Sequence, residues 1–149
     1  MFEGYNDGYF IGRGSDYAAA LEGSLKMKEI SYIHTEAYPA GELKHGTISL
    51  IEKGTPVVAL CSQEDVFEKM LSNIKEVKAR GANVIVFTKK KFLSEFKNQE
   101  NVFVIPDTDD NFSGITLAVA LQLLSYYTAL SRGCDIDKPR NLAKSVTVE

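Results

Sequence analysis

Two cysteines in 149 residues are too few for a disulfide framework, and no CxxC or histidine-rich spacing supplies a ligand set for a metal. Cys61 closes an apolar run and reads as a buried thiol, which suits a reducing, cytoplasmic compartment. Neither sign of charge dominates. The net charge of −3 gives no electrostatic case for nucleic acid. The only basic run, Lys89-Lys90-Lys91, falls where a strand should end and reads as a solvated turn. The first ten residues lack a basic region followed by an apolar stretch, so no signal peptide is expected. Long apolar runs are missing too. Residues 115–130 carry no charge, but Gln122, Ser125, Tyr126, Tyr127 and Thr128 interrupt them, and a membrane span needs about 20 predominantly apolar residues. A buried or interface helix is expected there instead.

What is present is ordinary for a globular chain: 44% hydrophobic and 25% charged residues, in a length sufficient for one domain. Four β-rich runs recur, at residues 8–12 (GYFIG), 56–61 (PVVALC), 83–88 (NVIVFT) and 102–106 (VFVIP). The middle two are continuously apolar, as expected of strands covered on both faces. Helical patterns lie between them. Residues 16–32 place Ala18, Leu21 and Leu25 at helical spacing, with Ser15 or Asp16 as N-cap. Residues 64–80 line up Val66, Met70, Ile74 and Val77 on one stripe, with Gly81 as the stop. Residues 115–130 are apolar nearly all round. Strands alternating with helices predict a doubly wound α/β domain with a parallel sheet. Ligands are then expected beyond the C-terminal ends of the strands.

Several segments could carry chemistry. Gly12-Arg13-Gly14-Ser15 follows a strand and precedes a helix, a place where free N–H groups meet anions. The third glycine of GxGxxG would fall at Tyr17, however, so a plain strand-to-helix turn competes with a phosphate contact. Glu22, Lys26 and Glu29 sit at i, i+4 and i+7 and share one helix face. They form either a surface ion-pair ladder or, beside Leu21, Leu25 and the opening left by Gly23, a half-buried group containing a general base. His45 lies between Gly41 and Gly46 in a polar turn, where an imidazole is a ready acid or base at neutral pH. His34 reads as a helix C-cap or surface residue. Residues 134–149 (CDIDKPRNLAKSVTVE) follow the last helix with little to offer a core, so the tail is expected to be ordered over something. It carries Lys144, whose amine, if held in a pocket and neutral, could add to a carbonyl.

The blocks ALEGSLKMKEISYIHTEAYPAGELKHG and DIDKPRNLAKSVTVE resemble the C-terminal end of the glucosamine-6-phosphate synthases, the isomerising glutamine–fructose-6-phosphate aminotransferases. The likeness extends over essentially the whole chain. It implies a single sugar isomerase (SIS) domain over residues 1–149, with five parallel strands flanked by helices and residues 134–149 as a tail closing the active site. This would be the second isomerase domain of a longer synthase, with the glutaminase and first isomerase domains as its partners. Glutamine hydrolysis would therefore be absent here, as would the Ser/Thr-rich cradle for the sugar phosphate. By the same resemblance, Lys144 forms an imine with fructose 6-phosphate, Glu29 moves a proton between C1 and C2, and His45 opens the ring from the neighbouring subunit of a homodimer. Lys26 and Ala143 would contact the sugar, Glu22 and Arg140 would support the site, and the product would be glucosamine 6-phosphate. No metal or other cofactor is implied, and no nucleic acid or membrane partner. Two alternatives stand beside this reading: a non-catalytic sugar-phosphate-binding module, and a deglycase that removes an amine from a sugar.

Overall fold

The computed structural model describes residue 2 and residues 4–142. Five strands form one parallel sheet in the order β2-β1-β3-β4-β5: β1 Asp7–Gly12, β2 His34–Pro39, β3 Pro56–Cys61, β4 Asn83–Lys89 and β5 Asn101–Ile105. Helix α1 (Ser15–Ser31) links β1 to β2, α2 (Phe67–Lys78) links β3 to β4, and α3 (Ser113–Ser131) follows β5.

Period-2 alternation sorts the strand residues into two cores. Tyr9, Ile11, Val57, Ala59, Val84 and Val86 face α2 and meet Met70, Ile74 and Val77. Phe10, Val58, Leu60, Ile85 and Phe87 face the other way, toward Met27 of α1 and Leu117, Leu121 and Leu124 of α3. Fully burying each such aliphatic side chain stabilises the fold by about 1.5–3 kcal/mol. Met70, Ile74 and Val77 of the stripe expected along residues 64–80 are buried, whereas Val66 is half-buried at the end of the 3₁₀ turn Glu64–Val66.

The inward face of α1 differs from the one its leucines suggested. Ala19, Ala20, Gly23, Ser24 and Met27 are buried, while Leu21 and Leu25 are 48% and 44% exposed. Small residues win because α3 lies close. A Cβ on Gly23 would stand 2.7 Å from Leu121 Cδ1 and 3.1 Å from the Phe10 ring. Neither Ser15 nor Asp16 caps α1; Gly14 occupies that place at φ 58°. Asp16 is instead buried, its carboxylate accepting from the backbone N–H (2.7 Å) and hydroxyl of Ser62. Burial pushes its pKa up, opposed by the bonds from Ser62 and Gln63 and by the Lys89 charge.

Strand β2 is the element that the sequence pattern hid. HTEAYP has no apolar run, and apart from buried Thr35 it is exposed or half-buried, as suits an edge strand. His34 is therefore the exposed first residue of a strand, a surface residue as one of its two readings had it and not a helix cap. That role falls to Tyr32, in the left-handed region at φ 62°. Lys89 is also corrected. It ends β4 fully buried, its ammonium donating to Thr108 O (2.8 Å) and paired with Asp110 Oδ1 (2.6 Å). Only Lys90 and Lys91 of the basic run are exposed.

Helix α3 with its leading turn is long and apolar enough to cross a membrane by length and composition, although 39% of its most apolar window is buried inside the fold. One face packs on α1. The other presents Ile115, Val119, Leu123, Tyr126, Tyr127 and Leu130, each 42–67% exposed.

Candidate functional site

Helix α1 carries the first group of candidates toward its C-terminal half. Lys26 Nζ lies 2.7 Å from Glu29 Oε2 and 3.5 Å from Glu22 Oε1. The three side chains share one face, as their spacing requires. Lys26 bridges the two carboxylates, and its hydrogen bond to Glu29 holds its pKa above the usual lysine value despite some burial. The ammonium therefore stays charged at neutral pH and fixes the Glu29 carboxylate. Glu29 retains 27% side-chain exposure, enough to reach a ligand while held in place. The ion-pair ladder expected from the spacing is therefore present, with Glu29 half-buried at its end.

The start of the tail meets the end of this helix. Tyr32 accepts a hydrogen bond at its hydroxyl from the backbone N–H of Arg140 (2.9 Å), and the Arg140 guanidinium stacks on the Tyr32 ring at 4.1 Å. Such a contact contributes about 0.5–1 kcal/mol at an exposed site. Upstream, Asp135 Oδ1 accepts from the N–H groups of Asp137 and Lys138, folding the chain into a turn that directs it across the helix. Between tail and helix lies an open cleft of about 460 Å³, bounded by Leu25, Glu29 and Tyr32 on one side and Arg140, Asn141 and Leu142 on the other. Tyr32 was not singled out from the sequence. Its one signal is a bulky residue at a helix stop, where a left-handed conformation normally favours glycine or asparagine.

His45 lies elsewhere. It ends the 3₁₀ turn Leu43–His45, beyond the C-terminal end of β2. Leu43 is buried and anchors the turn, whereas His45 is 62% exposed at its side chain, with Nδ1 3.0 Å from Glu42 Oε2. Helix α1 runs antiparallel to the strands, so Glu29 sits near the rim where β1 and β2 begin, paired there at Asp7 and His34. His45 stands past the opposite rim, where Gly12 pairs with Pro39. The length of α1, about 25 Å at 1.5 Å per residue, separates the two rims. One protomer thus unites Glu22, Lys26, Glu29 and Arg140, and holds His45 apart. Ala143 and Lys144 lie outside the described residues.

The rim at which a doubly wound sheet usually binds its ligand is filled by the protein's own groups. Asp16 occupies the Ser62 donors beside the turn at residues 12–15, and Gln63 donates to Asp110 O (3.0 Å). Among the described residues, no group of three or more His, Cys, Asp or Glu side chains is placed to hold a metal ion.

Comparison with known proteins follows this geometry. Residues 6–132 match the family model described as SIS domain. A glutamine–fructose-6-phosphate aminotransferase (isomerizing) of Caldanaerobacter subterraneus subsp. tengcongensis is 62% identical over 99% of this chain, and that of Clostridium tetani is 58% identical over 96%. The chain spans 24% of the length of each. Among solved structures, the C-terminal domain of glucosamine-fructose-6-phosphate aminotransferase from Francisella tularensis superposes with a TM-score of 0.88 at 41% identity, covering 92% of this chain and 39% of that one. A glucosamine-6-phosphate deaminase from Thermotoga maritima gives 0.75 at 30% identity, covering 95% and 40%.

Proposed function

The chain belongs to the SIS domain family, and from that premise we propose that it serves as the second isomerase domain of a glucosamine-6-phosphate synthase, acting on fructose 6-phosphate in the cytoplasm. The observation that carries the reading is the cleft joining Glu29 to Arg140, Asn141 and Leu142. Lys144 follows Leu142 by two positions in the sequence, a span of at most about 7 Å along an extended chain. We take Lys144 as the amine that would work with the Glu29 carboxylate, a pairing that this short span supports.

The chemistry needs three groups in sequence. The cyclic sugar opens when an imidazole, His45 of the neighbouring subunit, takes the anomeric hydroxyl proton and returns a proton to the ring oxygen. The Lys144 amine adds to the C2 carbonyl and expels water, forming an imine, and ammonia then displaces the lysine. Glu29 removes a proton from C1 as the imine nitrogen takes one up, giving an enolamine. The proton returns to C2 as the C1 hydroxyl gives up its own, leaving an aldehyde at C1 and an amine at C2. Lys26 keeps the Glu29 carboxylate oriented, and Glu22 holds Lys26 from the other side. The separation of Glu29 and His45 on opposite rims supports a homodimer, since a second subunit is the simplest source of the histidine.

The test is activity in the assembled enzyme. These 149 residues alone should not form glucosamine 6-phosphate, because they span only 24% of the length of the synthases they resemble. Joined to the glutaminase and first isomerase domains, they should turn over, and Glu29→Gln and Lys144→Ala should each reduce the rate by at least about 100-fold. Undiminished turnover in both variants would remove the mechanism. A second reading, favoured by the 30%-identical deaminase structure, has the amine leave glucosamine 6-phosphate. Ammonia release from that sugar, without glutamine-dependent formation of glucosamine 6-phosphate, would select it.

A further inference from the structure

We infer that Arg13 is a positioning residue for His45, acting as a clamp between α2 and the loop that carries the histidine. This rests on the reading above for its catalytic meaning, but the clamp itself is a statement about this chain's geometry. Arg13 leaves the C-terminal end of β1 and lies between two elements distant in sequence. Its Nε donates to Asn73 Oδ1 at 2.9 Å. Asn73 is buried in α2 and its amide donates in turn to Glu76 Oε2 at 3.3 Å, so the head of the arginine is fixed from behind.

The front of the guanidinium bears on Gly41. A Cβ placed on that glycine would meet Arg13 Nη2 at 2.6 Å, Cζ at 3.3 Å and Nη1 at 3.6 Å. Three atoms of the planar group are thus in reach of one point, so the guanidinium lies against the Gly41 backbone. The hydrogen bond from Ala40 N to Gly12 O (2.9 Å) brings the two segments together one residue before this contact, and buried Leu43 holds the loop two residues after it. His45 has no anchor of its own outside the loop, since its only polar contact among the described residues is Glu42 in the same turn. Its direction is inherited from the frame of residues 40–43. Arg13 is the charged side chain that ties that frame to α2, through Asn73 and Gly41. Lysine would not replace it, because an ammonium offers neither an Nε donor at that point on the chain nor a flat surface beneath Gly41.

The clamp is tested first in this 149-residue chain, by amide hydrogen exchange and by the His45 ring resonances in Arg13→Lys and Arg13→Ala, with Lys44→Ala as a neighbouring control. Both arginine variants should speed exchange at residues 41–46 by about tenfold and shift or broaden the His45 ring signals, while amides of β3 and β4 keep their protection. Gly41→Ala should reproduce the effect from the other side, which keeps the test decisive should Arg13→Ala fold poorly. Unchanged loop exchange and unchanged His45 signals in Arg13→Lys and Gly41→Ala would overturn the inference. In the assembled synthase, Arg13→Lys should lower kcat with little change in KM for fructose 6-phosphate. A loosened loop with undiminished kcat would leave the clamp standing and count against the role given to His45.

Discussion

Lys89 shows how much one side chain can reverse. From its neighbours it reads as part of a solvated cationic run, yet its side chain is only 1% exposed and pairs with Asp110. A buried ammonium without a partner is costly, so removing either half should be felt. Lys89→Met should lower unfolding stability by about 2–3 kcal/mol, less than for a fully enclosed pair because Asp110 is a third exposed. Denaturant titration measures this. The pH dependence adds a second readout. Burial raises the Asp110 pKa, but the hydrogen bonds from Lys89 and Glu64 outweigh it and hold the carboxyl below its usual value of 3.8. A depressed folded pKa means that stabilisation is complete above the unfolded value and is lost as pH falls through the folded one. Asp16 has the opposite sign, its pKa being raised, so its contribution declines as pH climbs upward from about 3.8. Lys89→Met should therefore flatten the acid side of the stability profile, below pH 4. A variant that retained the full acid transition would show that the pair does not govern it.

Among the elements, β1, β3, β4 and β5 were legible as short β-rich runs, α2 by its helical stripe, and α3 by its long uncharged, apolar segment. The sequence said little of β2, since HTEAYP is an edge strand stabilised by pairing with β1 and not by its own hydrophobicity. It misdirected α1, where Leu21 and Leu25 outweigh the small residues that pack. The site was legible in part. The spacing of Glu22, Lys26 and Glu29 put them on one face, but the latch at Tyr32 depends on a backbone conformation with no pattern in sequence. Two predictions belong here. Gly23→Val should cost about 1–3 kcal/mol by forcing α1 from α3, and Leu121→Ala in the same chain should recover part of that loss in a double-mutant cycle. Tyr32→Ala should raise proteolytic cleavage and amide exchange at residues 138–142 while thermal unfolding moves little, because the residue holds the tail and not the core. Equal protection in the variant would mean that the tail is fixed by something else.

At the scale of the molecule, the unsettled surface is the outer face of α3. Ile115, Val119, Leu123, Tyr126, Tyr127 and Leu130 repeat at intervals of three and four, so they form one stripe, and Phe103 and Val104 of β5 continue it at 39% and 48% exposure. A groove of about 300 Å³ runs between strand and helix, walled by Phe103, Val104, Leu123 and Tyr127. Contiguous exposed apolar area of this kind marks an interface. Two occupants compete: a second copy of this chain, and the remaining three-quarters of the longer relatives that the chain does not span. They differ in what this chain should do alone. If copies meet through α3, light scattering at micromolar concentration should give twice the chain mass, and Leu123→Asp with Tyr127→Glu should return it to one without loss of helical signal. If the face belongs to a missing domain, the unmodified chain should be monomeric or aggregate without a defined size. The proposed histidine exchange favours the dimer, because His45 cannot meet Glu29 across the sheet of its own protomer. A well-behaved monomer at those concentrations would assign the α3 face to another domain. It would also mean that this chain by itself does not supply the subunit contact on which the shared site depends.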